Sequence, residues 1–246
     1  MNSKAMTAIL GLFFFGAGTL RADLAKGLDA AARQDWESAL REFQGPAERG
    51  NSNAEVNLGN LYMRGLGVSQ DYKKAFEWYE KSALQGNAIG ESKLGLMLYF
   101  GLGVPENHER ASEWLQKAAD QGDAHAALVL AEMKRTGDGI PQNLEDAYVW
   151  YTIAEELGHQ GAHATRSELA ETLPTSEINL ALNRVSLWRE SYERRMSEAS
   201  RRSPPAGSAH QVKSQPEASK PQKQKASPPK TKPQTGLKSP PPKPGG

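Results

Sequence analysis

GESKLGLMLYFGLGVPENHERASEWLQKAADQGD, residues 90–123, repeats AEVNLGNLYMRGLGVSQDYKKAFEWYEKSALQGN, residues 54–87, at an interval of 36 residues. A third copy, AALVLAEMKRTGDGIPQNLEDAYVWYTIAEELGH, occupies residues 126–159. Gly50, Gly86, Gly122 and Gly158 keep the same interval, as do Trp78, Trp114 and Trp150. Such a period marks stacked units, each too small to bury its apolar face alone and each closed by its neighbours.

Each unit has room for two helices and a turn. In the first helix, starting near Asn53 or Ala54, Leu58, Leu61 and Tyr62 make one apolar face, and Leu94, Met97 and Leu98 repeat it one unit later. Gly65 and Gly67, Gly101 and Gly103, then Gly137 and Gly139 mark the turn, with Val68, Val104 and Ile140 filling the joint beneath it. The second helix opens at Asp71, Asn107 and Asn143, whose side chains accept backbone amide hydrogen bonds. Small residues at Ala75, Ala111 and Ala147 let backbones approach, and Trp78, Trp114 and Trp150 are expected in the core. Gly59 and Gly95 lie inside first helices, where glycine costs about 1 kcal/mol against alanine. Ala131 at the third equivalent position points to small volume, and so to a close helix crossing. Gly86 and Gly122 close the units as structural positions.

The ends are less regular. Residues 35–50 match the second-helix half of a unit, so residues 24–50 form a shortened opening unit. The main repeats follow at about 51–86, 87–122 and 123–158. Residues 159–196 supply capping helices. In the last, Thr175 is read as the cap and Ile178, Leu182, Val185 and Trp188 as the stripe that closes the apolar end.

Leu94, Gly95, Gly101, Gly103, Val104, Pro105, Ala111, Trp114, Ala118, Ala119 and Gly122 carry an arrangement that resembles the Sel1-like repeats, a branch of the tetratricopeptide-like proteins. The resemblance covers most of residues 24–190 and is strongest over 54–159. It implies an all-α, right-handed superhelical solenoid of antiparallel helix pairs whose concave surface binds proteins, often at membranes and in the cell envelope. It fixes no chemistry. By repeat register, Asn57, Asn60, Arg64, Lys93, Leu96, Glu132 and Arg135 fall on the strip presented by successive first helices and are the candidate binding residues.

Lys4 precedes an apolar run, Ala5 to Gly18, and Leu20, Arg21 and Ala22 follow. This pattern predicts a signal peptide over residues 1–22, cut after Ala22. The resemblance then points to the bacterial periplasm, with secretion as the alternative. The chain has no cysteine, which excludes disulfides, thiol catalysis and cysteine lipidation. Residues 197–246 hold eleven prolines and few large apolar residues, a composition that predicts disorder. Their eight lysines and two arginines stand against Glu198 and Glu217, a net +8. The leader carries +2 through Lys4 and Arg21, so the chain's +1 leaves −9 on residues 23–196. The basic tail suits anionic lipid, wall polymer or an acidic protein face. Nucleic acid is disfavoured, because no aromatic residue is interleaved with the tail lysines.

Few residues are arranged for chemistry. His159 and His163 have a four-residue spacing, but a zinc site needs further ligands, and His159 aligns with the turn residues Asn51, Asn87 and Asp123, which suggests a capping role. His108 and His125 are expected to be exposed. The pairs Glu155 with Glu156 and Glu168 with Glu171 read as solvated helix charges. The glycine-rich turns lack a phosphate-loop context, and no G-x-S-x-G is present. The sequence therefore predicts no catalytic residue, no metal and no cofactor. It predicts an exported scaffold or adaptor for an envelope protein or peptide, with a negative regulator of a membrane sensor and a peptidoglycan-modifying enzyme as the alternatives.

Overall fold

Short polar side chains start most of the helices and set where the units begin. The computed structural model describes residues 24–202; the expected leader, and the expected tail beyond residue 202, lie outside them. Helix α1 covers residues 24–32. It is followed by α2 (Trp36–Glu48), α3 (Ser52–Arg64), α4 (Tyr72–Leu84), α5 (Ala88–Tyr99), α6 (His108–Asp120), α7 (Ala124–Thr136), α8 (Leu144–Glu156), α9 (Ala162–Thr172) and α10 (Thr175–Arg202). No strand occurs among the described residues.

Asp35, Asn51, Asp71, Asn87, Asn107, Asp123 and Asn143 each accept a hydrogen bond from a backbone N–H in the first turn of the helix they precede. Each cap contributes about 1 kcal/mol. Caps at 51, 87 and 123 start the first helices a residue or two before the expected position near Asn53. His159, the fourth in that series, is not a cap: α9 begins after Gly161, with no side-chain hydrogen bond at its N-terminus.

Consecutive helices pack pairwise into a right-handed solenoid of antiparallel hairpins. The joint between units is a glycine seated on the preceding hairpin. A Cβ on Gly67 would lie 2.5 Å from the Trp36 backbone, and one on Gly103 would lie 2.5 Å from that of Tyr72. Both glycines also have positive φ, 67° and 76°, so the turn and the close approach impose the same residue. Val68, Val104 and Ile140 pack against the apolar clusters of their own units.

The large side chain at the centre of each second helix is not the tryptophan but its neighbour. Tyr79, Leu115 and Tyr151 are 1%, 0% and 1% exposed. This explains the small residues opposite: a Cβ on Gly59 would meet the Tyr79 ring at 2.5 Å, and one on Gly95 would meet Leu115 at 2.8 Å. Trp78 and Trp114 are only half-buried, with the ammonium groups of Lys81 and Lys117 each 3.8 Å from a ring centroid. The expectation of three core indoles is thus corrected for two of them. Trp150 is buried, and the lysine position beside it is held by buried Ile153. Ile153, Val149 and Trp150 share a cluster with Ala181 and Val185 of α10.

α10 caps the stack with a stripe shifted from the expected one. Ala181 and Val185 are buried, Ile178 and Trp188 are partly buried, and Leu182 is 41% exposed. Thr175 is the first residue of the helix rather than its cap, since the Ile178 amide reaches the carbonyl of Pro174. Arg184 pairs with Glu145 and Asp146, and Arg189 pairs with Glu156. Tyr192 fills the space beside Gly122. Because the helix continues to Arg202, the expected boundary of the folded body at residue 196 falls inside it.

Candidate functional site

Positions 53, 57, 60 and 64 of α3 recur as 89, 93 and 96 of α5 and 100 just after its last residue, spaced four, three and four apart, and so define one helix face. Three cavities lie along this face. One of about 300 Å³ is bounded by Leu28 of α1, Asn57 and Asn60 of α3 and Ile89 of α5. A second, about 380 Å³, is lined by Asn60, Met63, Arg64, Tyr79, Lys93, Leu96, Met97, Phe100 and Leu102. The third, about 470 Å³, is lined by Tyr99, Phe100, Leu128, Val129, Glu132, Tyr151, Gly161 and Thr165. The first two meet at Asn60 and the last two at Phe100.

The middle cavity brings together four of the seven candidate residues: Asn60, Arg64, Lys93 and Leu96. Asn57 lines the first cavity and Glu132 the third. Arg135 lines none of the three and instead pairs with Glu132, its Nε donating at 3.0 Å. The Arg135 hydrogen bond holds the Glu132 carboxyl below its ordinary pKa against the opposing effect of burial, and the Tyr151 hydroxyl also donates to it. Glu132 is therefore a neutralised wall rather than a free charge.

Equivalent positions show how the wall is built. The Tyr79 hydroxyl donates to Asn60 Oδ1 at 2.9 Å, just as Tyr151 donates to Glu132. In the middle unit both partners are apolar, Leu96 and Leu115. Burial raises the Tyr79 and Tyr151 hydroxyl pKa values, so both remain donors at neutral pH. A second coupled pair lies at the far edge of the hairpin. Gln85 Nε2 donates to buried Glu55 at 2.6 Å, and Gln121 donates to buried Glu91 at 2.7 Å. The third unit replaces both members with Ala127 and Leu157.

The sequence reading missed Phe100, which is 61% exposed between two cavities, and the apolar residues Leu28, Ile89 and Met63. Its signal was available, since Phe100 stands at the repeat position of Arg64.

The histidines do not gather. His163 bonds Glu155 at 2.7 Å, and Glu155 also holds Arg166. His159 instead stacks on His125 at 6.0 Å between centroids. His125 is exposed, as expected, but His108 is not: its side chain is 18% exposed. Its Nδ1 lies 2.7 Å from Asp138, its Nε2 lies against Glu106, and its ring stacks on Tyr99 at 4.8 Å. Tyr99 also donates to Asp138 at 2.7 Å, and this bond pushes the tyrosine pKa up to about 12. Burial opposes protonation of His108, but the Asp138 bond and charge, with Glu106, outweigh it and raise its pKa. The cluster clips α6 to the turn after α7, beside Gly139. Among the described residues, no three His, Cys, Asp or Glu side chains converge as metal ligands, and no helix is long and apolar enough to cross a membrane.

The Sel1 repeat family matches residues 52–87, 88–123 and 124–159, in step with the caps at 51, 87 and 123. Among curated proteins no sequence matches. The crystal structure of a Sel1 repeat protein from Oxalobacter formigenes is similar at 32% identity and TM-score 0.56, covering 58% of this chain and 57% of that one. The crystal structure of c5321, a protective antigen of uropathogenic Escherichia coli with an SLR fold, is similar at 26% identity and TM-score 0.59, covering 73% of this chain and 38% of that one. The chain thus spans less than two thirds of either relative. The repeat interval, the matched units and the shared solenoid agree: residues 52–159 are three Sel1 repeats.

Proposed function

We propose that this protein is an exported adaptor of the bacterial cell envelope that holds a protein or peptide along the first helices of its repeats. Sel1 repeats form helical scaffolds of the kind used in protein–protein interaction. The observation that carries the reading here is the run of three adjoining cavities on one face, each lined by apolar side chains with a few polar ones among them. Such sites recognise large apolar side chains and orient them with a few polar groups. The leader pattern of residues 1–22 supports export to the periplasm. The lysine-rich composition after residue 202 supports a second contact, with anionic lipid or wall polymer.

The test is site-specific photocrosslinking in intact cells. A photoreactive phenylalanine analogue at Phe100 should give a discrete protein adduct, while the same group at exposed Glu113 of α6 should not. Equal crosslinking at both positions would refute a docking face on the first helices. Amino-terminal sequencing of the periplasmic fraction should find a chain starting at Asp23; an uncleaved cytoplasmic chain would refute export.

A further inference from the structure

The middle cavity holds donors without acceptors. Asn60 Oδ1 is occupied by Tyr79, which leaves the Nδ2 group without a partner among the described residues. Arg64 and Lys93 line the same cavity, and neither has an ion-pair partner among the described residues. No acidic side chain lines it; its apolar lining is Met63, Leu96, Met97, Phe100 and Leu102. This arrangement sits in a body whose residues 23–196 carry a net −9, and where Glu132 in the adjoining cavity is neutralised by Arg135. Two unopposed cations and a free amide beside an apolar lining match an anionic acceptor next to a large apolar group. The adjoining cavities at Asn60 and Phe100 extend the site in both directions along the repeats, so its occupant is elongated.

Building on the adaptor reading, we propose that the face takes an extended acidic peptide segment. An Asp or Glu carboxylate meets Arg64, Lys93 and Asn60, and flanking large apolar side chains fill the cavities on either side, against Ile89 and against Phe100. The excess acid elsewhere on the body repels such a segment from other surfaces, so charge places the ligand as well as holding it.

The experiment pans a random 12-residue peptide library against the full chain and measures binding of the most enriched peptide by fluorescence anisotropy. Selected peptides should share an acidic residue flanked by large apolar ones. Arg64→Ala with Lys93→Ala should weaken binding about 10- to 100-fold, as expected for losing charge-assisted contacts. Lys73→Ala with Arg110→Ala removes the same charge from exposed positions on α4 and α6 and should change it less than about twofold. Unchanged circular dichroism and melting should accompany both double variants, because none of the four side chains makes an ion pair. Replacing the peptide's acidic residue with its amide should reproduce the loss and add little to it in the Arg64 and Lys93 background. Peptides without an acidic preference, equal loss in the control pair, or displacement of the peptide by phosphatidylglycerol vesicles would overturn the proposal. Binding that depends on Phe100 but not on Arg64 and Lys93 would overturn it while leaving the adaptor reading intact. Binding indifferent to Phe100 as well would overturn both.

Discussion

Gly86 and Gly103 have the same φ of 76°, yet one faces open space and the other a neighbouring unit. Substituting alanine at each separates the cost of a strained backbone from the cost of breaking the joint. At Gly86 nothing lies within 4 Å of the added Cβ, so only the left-handed conformation is penalised, by about 1–2 kcal/mol. At Gly103 the Cβ would lie 2.5 Å from the carbonyl carbon of Tyr72 and 2.7 Å from the Lys73 nitrogen, backbone atoms that cannot rotate away. Overpacking of this kind adds about 1–3 kcal/mol. Gly103→Ala should therefore cost about 2–5 kcal/mol, a large share of the roughly 5–15 kcal/mol that holds a typical domain. Urea unfolding followed by tryptophan fluorescence and by far-ultraviolet circular dichroism measures the difference. With a slope of about 2 kcal/mol per molar, the Gly103→Ala midpoint should fall about 0.5–1.5 M below that of Gly86→Ala. The two probes should also diverge in Gly103→Ala, because a weakened joint lets repeat units unfold separately. Equal midpoints would refute the claim that this glycine seats one unit on the next.

Burial raises the Glu91 carboxyl pKa, with the Gln121 hydrogen bond opposing, so folding favours its protonated form and its charge costs stability at neutral pH. Glu91→Gln should be more stable than the parent at pH 8, and the gap should close as pH falls through the raised value toward 4.5, as read from melting temperatures across pH. His108 is the opposite type of group, stabilising when charged. The excess stability of the parent over His108→Gln should be full below about pH 6.5 and disappear as pH rises through the folded pKa, again by thermal melts. Asn60→Leu should cost about 1–3 kcal/mol by leaving the Tyr79 hydroxyl unpaired, but less than about 1 kcal/mol in a Tyr79→Leu background that copies the Leu96 and Leu115 pair. A urea-unfolding double-mutant cycle reads that coupling.

The repeat interval made the solenoid legible because glycine at the turns and small residues at the crossings answer to backbone geometry, which is the same in every unit. The tryptophans were harder. Their spacing shows that Trp78, Trp114 and Trp150 share a position but not which of them lies under α10; the exchange of Lys81 and Lys117 for Ile153 is the signal that separates Trp150. The candidate face was partly readable, since Asn60, Arg64, Lys93 and Leu96 do line one cavity. What the register does not reveal is internal pairing. Glu132 and Arg135 look like free charges in the sequence but satisfy each other, while Tyr79 takes one end of the Asn60 amide and leaves the other free. The enclosure of His108 is not legible locally, because the groups around it, Tyr99 and Asp138, come from the preceding helix and from the turn after α7.

Backbone chemical-shift mapping of the full chain, isotopically labelled and titrated with the selected acidic peptide, tests the docking face most directly. The account predicts perturbations concentrated on α3 and α5, at Asn60, Arg64, Lys93, Leu96 and Phe100, with α4 and α6 largely unmoved. Shifts centred on the second helices, or on the exposed Leu180 and Leu187 of α10, would contradict it.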